Sequence, residues 1–268
     1  GFWQGIDNTV ILDYLAQKYT TRKIYDTPTY GFALYHQSTF DDLLFDGLSA
    51  TFGIRYDYER ASTDFIGFKE TEEKTEQLDA FYSKLKFSQV TPKFALQYLF
   101  PSSGILYATV TKGYKTGGFN TSFEREEDRS FRPETSWNYE VGGKHPFLDN
   151  RLRADIAFFW IDWKNQQISQ TLPSGRGSML TNAGRSESKG VEVSLQGNPV
   201  NGLMVQVNYG FTHATFKDYV DEKKKIDYSG NYLSMVPSHT FAVGADYTIP
   251  TPCSHIDRIM ISTNFTGV

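Results

Sequence analysis

The sequence predicts an all-β fold, an antiparallel transmembrane β-barrel wall, on three observations. The first is alternation. Leu48, Ala50, Phe52, Ile54, Tyr56 and Tyr58 take one parity, while Thr51, Gly53, Arg55, Asp57 and Glu59 take the other. Successive side chains of a strand point to opposite faces, so such a segment has one apolar and one polar face. The second is an aromatic content of 16%, with 17 Tyr and 21 Phe. It comes with a mean hydropathy of -0.45 and no apolar run near the ~18 residues of a membrane helix. A barrel needs no such run, because its lumen side is polar. The third is a rhythm of short and long connections along the chain. An immunoglobulin-like sandwich spaces its turns more closely, every 8–12 residues or so, and has shorter strands.

Taken in order, residues 1–28 are the least defined. Val10 to Tyr19 has weak helical spacing that strand and loop explain equally well. About ten strands follow, over 29–40, 47–62, 81–100, 104–114, 134–147, 151–170, 181–198, 203–217, 234–249 and 257–268. Alternation recurs at Phe94, Leu96, Tyr98 and Phe100, at Leu203 to Phe211, and at Phe241 to Tyr247. Pro101–Gly104, Leu148–Asn150 and Pro199–Gly202 are short and carry the Gly, Pro, Asn and Asp of tight turns. The stretches 63–80, 115–133, 171–180 and 218–233 are long and hold the charge runs, as at Lys69–Lys74, Glu124–Arg129 and Asp221–Lys225. Short and long connections therefore fall at opposite ends, as short periplasmic turns and long extracellular loops do. With Leu148–Asn150 periplasmic, 134–147 runs inward and 151–170 outward. Trp137, Tyr139, Trp160 and Trp163 then lie near the outer ends of their strands, as an aromatic girdle requires.

This register directs Phe52, Ile54, Tyr56, Val193, Val205, Val207, Tyr209 and Val243 to lipid. It directs Gln206, Asn208 and the charges Arg55, Asp57, Glu59, Lys93, Glu140, Lys144, Arg153, Asp155, Glu192 and Asp246 to the lumen, since a charge facing lipid is costly. A net charge of -4 gives no nucleic-acid footprint. Cys253 is a single cysteine in a Pro-rich turn and forms neither a disulfide nor a zinc site by itself. His36, His145, His213, His239 and His255 lack ligand spacing, so no metal site is expected, and no cofactor either. There is no nucleophile elbow, phosphate loop or HExxH helix, so an enzyme is not expected. Asn120-Thr121-Ser122 and Asn264-Phe265-Thr266 match glycosylation sequons that a bacterial outer-membrane protein leaves silent.

One stretch resembles a known family. Tyr107-Ala108 through Lys112-Gly113-Tyr114-Lys115 to Gly117-Gly118-Phe119-Asn120 looks like the "Y-A-x-x-x-K-G-Y-K-x-G-G-F-N" stretch of TonB-dependent outer-membrane receptors. Phe131, Pro133, Glu134, then Asn138, Tyr139, Glu140, Gly142 and Lys144 resemble its "F-x-P-E-x-x-x-N-Y-E-x-G-x-K". Asn182-Ala183-Gly184 with Gly190, Val191 and Glu192 is similar to "N-A-G-x-x-x-x-x-G-v-E". Such motifs run in order over about 48–268. The resemblance implies a barrel of about 22 strands with a plugged lumen and uptake of a scarce nutrient powered by TonB. All of 1–268 then belongs to one transmembrane barrel domain. The chain reads as an interior piece, without the plug, the TonB box or the terminal strand.

The resemblance directs Arg55, Glu140, Lys144 and Glu192 toward a plug. In 115–133, Lys115, Phe119, Asn120, Arg125, Arg129, Phe131 and Arg132 mix cations with aromatics, which suits an anionic, aromatic ligand such as a ferric siderophore. An exposed, mobile loop explains the same composition. The expected function is active import across the outer membrane of a Gram-negative bacterium, with TonB, lipid and a small chelate as partners. A passive porin-like channel is the alternative, and a soluble β-sandwich binding module a third class.

Overall fold

The computed structural model describes residues 1–5, 7–14, 18–172, 174, 175, 177–182, 184–221, 225–253 and 255–268. An antiparallel sheet with strands in chain order forms the molecule. Its first two passages are each interrupted once. β1 (Phe2–Gln4) and β2 (Asp7–Tyr14) make one, and β3 (Tyr19–Asp26) and β4 (Thr29–Phe40) make the next. The second break falls at Thr27-Pro28, where proline has no N–H to give the ladder. The Pro28 carbonyl instead accepts from the Ser62 N–H at 3.1 Å. Thus 1–28 is strand on both sides of a connection, with Val10–Tyr14 in β2 and Tyr19 in β3; residues 15–17 of the helix-like stretch lie outside the described residues.

β5 (Leu48–Glu70) and β6 (Thr75–Leu99) come next. They correct the expected loop at 63–80. Both strands continue through it to a turn at Thr71–Lys74, closed by the Thr71 N–H on the Lys74 carbonyl at 2.9 Å. β5 has 23 residues, where crossing a bilayer takes about 9–11, so this hairpin projects far beyond β7 (Ile105–Lys115) on one side, while β3 accompanies β5 to Glu70 on the other. After β7 comes a loop holding the short pair β8 (Gly118–Phe119) and β9 (Ser130–Phe131), then β10 (Glu134–Phe147) and β11 (Leu152–Lys164). β12 (Gln167–Thr171) and β13 (Ser178–Asn182) form a hairpin where the sequence suggested that the 151–170 strand ran on. β14 (Arg185–Val200) and β15 (Leu203–Asp218) follow, then the small pair β16 (Val220–Asp221) and β17 (Ile226–Asp227), and finally β18 (His239–Cys253) and β19 (Ile256–Gly267). Ala183 and 222–224, from two of the stretches quoted above, lie outside the described residues.

The turns between β6 and β7, β10 and β11, and β14 and β15 are short and lie at one end; the loops lie at the other. Asn201-Gly202 alone joins β14 to β15, since Val200 pairs with Leu203. Gly202 adopts φ +82, and a Cβ there would stand 2.3 Å from the Thr248 carbonyl oxygen. Only glycine fits both demands. Leu148, Asp149 and Asn150 all take positive φ (52, 54 and 65) to turn β10 into β11.

Register fixes two faces. Phe52 pairs with Phe94, Phe94 with Val110, Val110 with Tyr139, and Tyr139 with Trp160. One row along, Ile156, Val193, Tyr209 and Phe241 run together. Rings meet along this face: Phe52 and Phe94 at 5.0 Å, Tyr139 and Trp160 at 5.1 Å, Phe241 and Phe265 at 5.6 Å. Phe52 and Ile54 are half exposed, a cost in water and none in hydrocarbon. Every charge expected in the lumen has the opposite parity, as do Gln206 and Asn208. Trp163 is a correction to the girdle. It pairs with Ser136 and Ser186 and so belongs to the polar face, whereas Trp137, Tyr139 and Trp160 stay on the apolar one.

The tightest packing is not within the sheet but where the loops fold over it. Ala61, Thr63 and Phe65 continue the parity of Arg55, Asp57 and Glu59, and all three are buried. Phe87, paired with Glu59, is buried too. The loops therefore lean onto the polar face and leave the apolar one bare.

Candidate functional site

The site is built in two storeys on the polar face. The lower one is the wall itself. Tyr107, Glu140, Lys144, Asp155 and Glu192 line a concavity of about 570 Å³. Tyr107 pairs with Gly142, which pairs with Ala157, which pairs with Glu192, so phenol and carboxylate share one row of the wall. A Cβ on Gly142 would meet the Tyr107 ring at 2.6 Å. Glycine there lets the ring lie flat on the wall, and its hydroxyl donates to Glu140 Oε1 at 2.8 Å. Lys144 Nζ is 3.7 Å from Asp155 Oδ2, and Arg153 Nε donates to Asp155 Oδ1 at 3.3 Å. Glu192 makes no ion pair among the described residues. Arg55 stands apart on β5, where it is paired with Asp57 at 2.7 Å. Three of the four expected wall residues thus come together and the fourth does not.

The upper storey is the interlocked loops. Asn120 is 5% exposed. Its Nδ2 donates to the carbonyls of Asp128 and Leu180, and its Oδ1 accepts from the Leu180 N–H, each at 2.8 Å. The amide is fully used in tying the β8–β9 loop to β13. Arg129 lies over the Phe81 ring at 3.8 Å and pairs with Glu126 at 3.0 Å. Phe81 in turn meets Phe65 and Phe123 at 4.8 and 5.7 Å, and the Tyr25 hydroxyl donates to the Thr121 carbonyl. Arg125 pairs with Asp128 at 3.1 Å and with Glu127. The Asp128 carboxylate, with Glu127 beside it, holds the Arg125 guanidinium above its ordinary range.

Lys115 and Arg132 are exposed, and neither forms an ion pair among the described residues. One Gln167 amide bridges the chain beside them, donating to the Thr116 carbonyl at 2.7 Å and the Arg132 carbonyl at 3.2 Å. Phe119 and Phe131 are half-buried in the same loop. Of the seven loop residues expected to meet a ligand, Lys115, Arg132, Phe119 and Phe131 keep side-chain surface and no ion pair, and Arg125 keeps surface while ion-paired. Asn120, Arg125 and Arg129 are engaged within the loops.

The sequence reading missed the residues that lock the loops. The Gln167 N–H donates to Glu134 Oε2 at 2.6 Å. Asn182 accepts from the Arg132 N–H at 2.8 Å and donates to the Asn165 carbonyl at 2.7 Å. Glu134 and Asn182 were already visible as motif residues, so motif membership was the signal. Further along, Gln170 donates to the Tyr219 hydroxyl and to Asp221 Oδ2. Burial, with Asp221 and Tyr228 alongside, pushes the Tyr219 phenol up to about 12. The Ser229 hydroxyl and N–H, the latter 2.8 Å from Oδ1, hold the Asp227 carboxyl below the usual range.

A family model described as "TonB dependent receptor-like, beta-barrel" matches residues 2–258. The chain belongs to that family. Among relatives of this TonB-dependent receptor barrel, a "Ferric-pyoverdine 358 receptor" of Pseudomonas putida is 27% identical over 173 residues, 63% of this chain and 19% of the relative. A "Pesticin receptor" of Yersinia pestis is 27% identical over 190 residues, 70% of this chain and 26% of the relative. The chain thus spans about a fifth to a quarter of those proteins' length. The crystal structure of the ferric yersiniabactin uptake receptor from Yersinia pestis superposes with a TM-score of 0.72 at 20% identity, over 97% of this chain and 37% of the other. At that identity the likeness speaks for the fold.

Proposed function

We propose that this chain is wall and loop of an outer-membrane receptor in a Gram-negative bacterium, which binds a ferric siderophore or other iron chelate and imports it with energy delivered through TonB. The whole of 1–268 then belongs to one barrel domain. One observation carries the ligand side. Lys115 and Arg132 are exposed cations with no ion pair among the described residues, and they share a loop with the half-exposed Phe119 and Phe131. Cations and aromatic rings on one loop that is already ordered suit an anionic and aromatic chelate. The names of the relatives, among them the ferric-pyoverdine receptor, support the iron-chelate class.

The wall supports the rest. Tyr107, Glu140, Lys144 and Glu192 offer donors, acceptors and both charges to a domain filling the lumen, and Arg55 adds a further contact on β5. Binding there is a matter of hydrogen bonds and ion pairs that break and reform, so no catalysis is invoked. The test is growth of a deletion strain on single iron chelates, with cobalamin and glycans as controls. Loss of growth confined to one chelate class supports the reading. Replacing Lys115 and Arg132 by Gln is expected to raise the chelate concentration needed roughly tenfold. Loss on glycan or cobalamin alone overturns the iron reading.

A further inference from the structure

The apolar face of the sheet carries one feature that the transport reading leaves unused. Arg60, Lys84 and Lys86 all have the outward parity on the β5–β6 hairpin. Arg60 stands directly opposite Lys86, and Lys84 opposite Ser62. Like charges directly opposite each other on a sheet destabilise it unless an anion lies between them. None of the three forms an ion pair among the described residues, and neither do the outward Lys112 and Lys164, though other outward cations on the wall do. Arg185 pairs with Asp162 at 2.8 Å, and Lys189 and Lys217 pair with Glu187 at 3.2 and 3.1 Å. Asp64, on the same face, stands opposite Tyr82, one row beyond Lys84.

The height of this patch identifies the occupant. Arg60 lies about 40 Å along β5 from Leu48 at ~3.3 Å per residue. At a strand tilt of ~45° that is a rise of about 28 Å, close to the thickness of a bilayer's hydrocarbon core. Below the patch the face is apolar, with Phe32, Leu34, Tyr56 and Val90 exposed. Tyrosines frame it. Arg60 donates to the Tyr30 hydroxyl at 2.8 Å, and Lys84 Nζ sits 4.8 Å from the Tyr82 ring centroid. An anionic head at the cations with an apolar tail along Leu34 and Val90 describes an amphiphile in the loop-side leaflet.

We propose that Arg60, Lys84 and Lys86 form a docking site for the phosphate groups of an outer-leaflet lipid, whose acyl chains lie against the face below. The proposal rests on the outer-membrane reading above. Its function would be to anchor the projecting hairpin, and the loops packed on its inner side, to the membrane surface.

The test uses the full-length protein that contains this chain, purified in mild detergent, with diphosphorylated lipid A as probe and native mass spectrometry as readout. A one-to-one complex is expected for the unaltered protein. Replacing Arg60, Lys84 and Lys86 together by Gln should weaken it roughly a hundredfold. Dephosphorylated lipid A should bind the unaltered protein as weakly, and Arg60→Lys alone should retain most binding. Unchanged lipid A binding by the triple variant, with normal heat-modifiable migration as proof of folding, overturns the proposal. Equal binding of the dephosphorylated lipid also overturns it. In either case, a protein still found in the outer-membrane fraction leaves the transport reading standing. Absence from that fraction defeats both.

Discussion

Asn120→Ala is expected to unlock the loops without unfolding the sheet. The side chain is 5% exposed and makes three hydrogen bonds, two to carbonyls and one from the Leu180 N–H. Each is worth about 1 kcal/mol net, and alanine leaves the part-buried Leu180 N–H without its Asn120 partner. The sum is about 3 kcal/mol, or roughly a hundredfold in the opening equilibrium of the contact between the β8–β9 loop and β13. The strand ladders below make no use of this amide. Hydrogen exchange read by mass spectrometry should therefore show faster exchange in peptides covering 118–131 and 178–182. Peptides from β14 and β15 should keep their protection. Unchanged exchange at Leu180 would refute the view of Asn120 as a loop tie and return it to the pool of ligand contacts.

Other outcomes follow from the same geometry. Val207→Arg puts a charge on the apolar face and should cost about 2–4 kcal/mol of barrel stability in lipid, while Asn208→Arg, one residue on, should cost little; urea unfolding in vesicles with the two costs reversed would invert the wall. Tyr107→Phe removes the donor to Glu140, 2.8 Å away, and is expected to loosen the lumen wall by about 1–2 kcal/mol with chelate binding at the loops unchanged; a lost chelate affinity would place Tyr107 in the ligand site instead. The Tyr219 phenol is raised from 10.0 to about 12 by burial, so folding holds its proton more tightly than the unfolded chain does. Its stabilising effect on the contacts with Gln170 and Tyr228 is full below pH 10.0 and is lost as pH climbs toward about 12. Ultraviolet titration of phenolate should reveal this late transition, and its absence in Tyr219→Phe should identify it.

The wall was legible because a two-residue period is dictated by strand geometry, and a membrane demands it without interruption. Phe52, Val207 and Asn208 needed only counting. The turn at Asn201-Gly202 was legible for a similar reason, since few residues fit a φ of +82. The projecting half of β5 and β6 was not, because beyond Arg60 its outward residues meet water and its inward ones meet loop, so charge runs mask the alternation. Trp163 misled for a related reason. Its height suits a girdle, but parity turns it to Ser136 and Ser186, under the loop at Gln166. In the site, residue type alone marked 115–133 as cationic and aromatic. It did not say which cations remain available, since Arg129 lies over Phe81, far away in sequence, and Arg125 turns back on Glu127 and Asp128 beside it. Asn120, Glu134 and Asn182 were visible as motif residues, yet their work is to bind loop to loop, which only three-dimensional proximity reveals.

Energised import is the central claim. On the proposed reading a plug fills the wall and leaves no open path, so chelate bound at the loops stays there unless work is done on the plug. The most direct measurement is uptake of the radiolabelled ferric chelate by cells that express the full-length protein, with and without TonB. The account predicts chelate bound at the surface in both strains and accumulated inside only where TonB is present. Equal accumulation in both strains would contradict it.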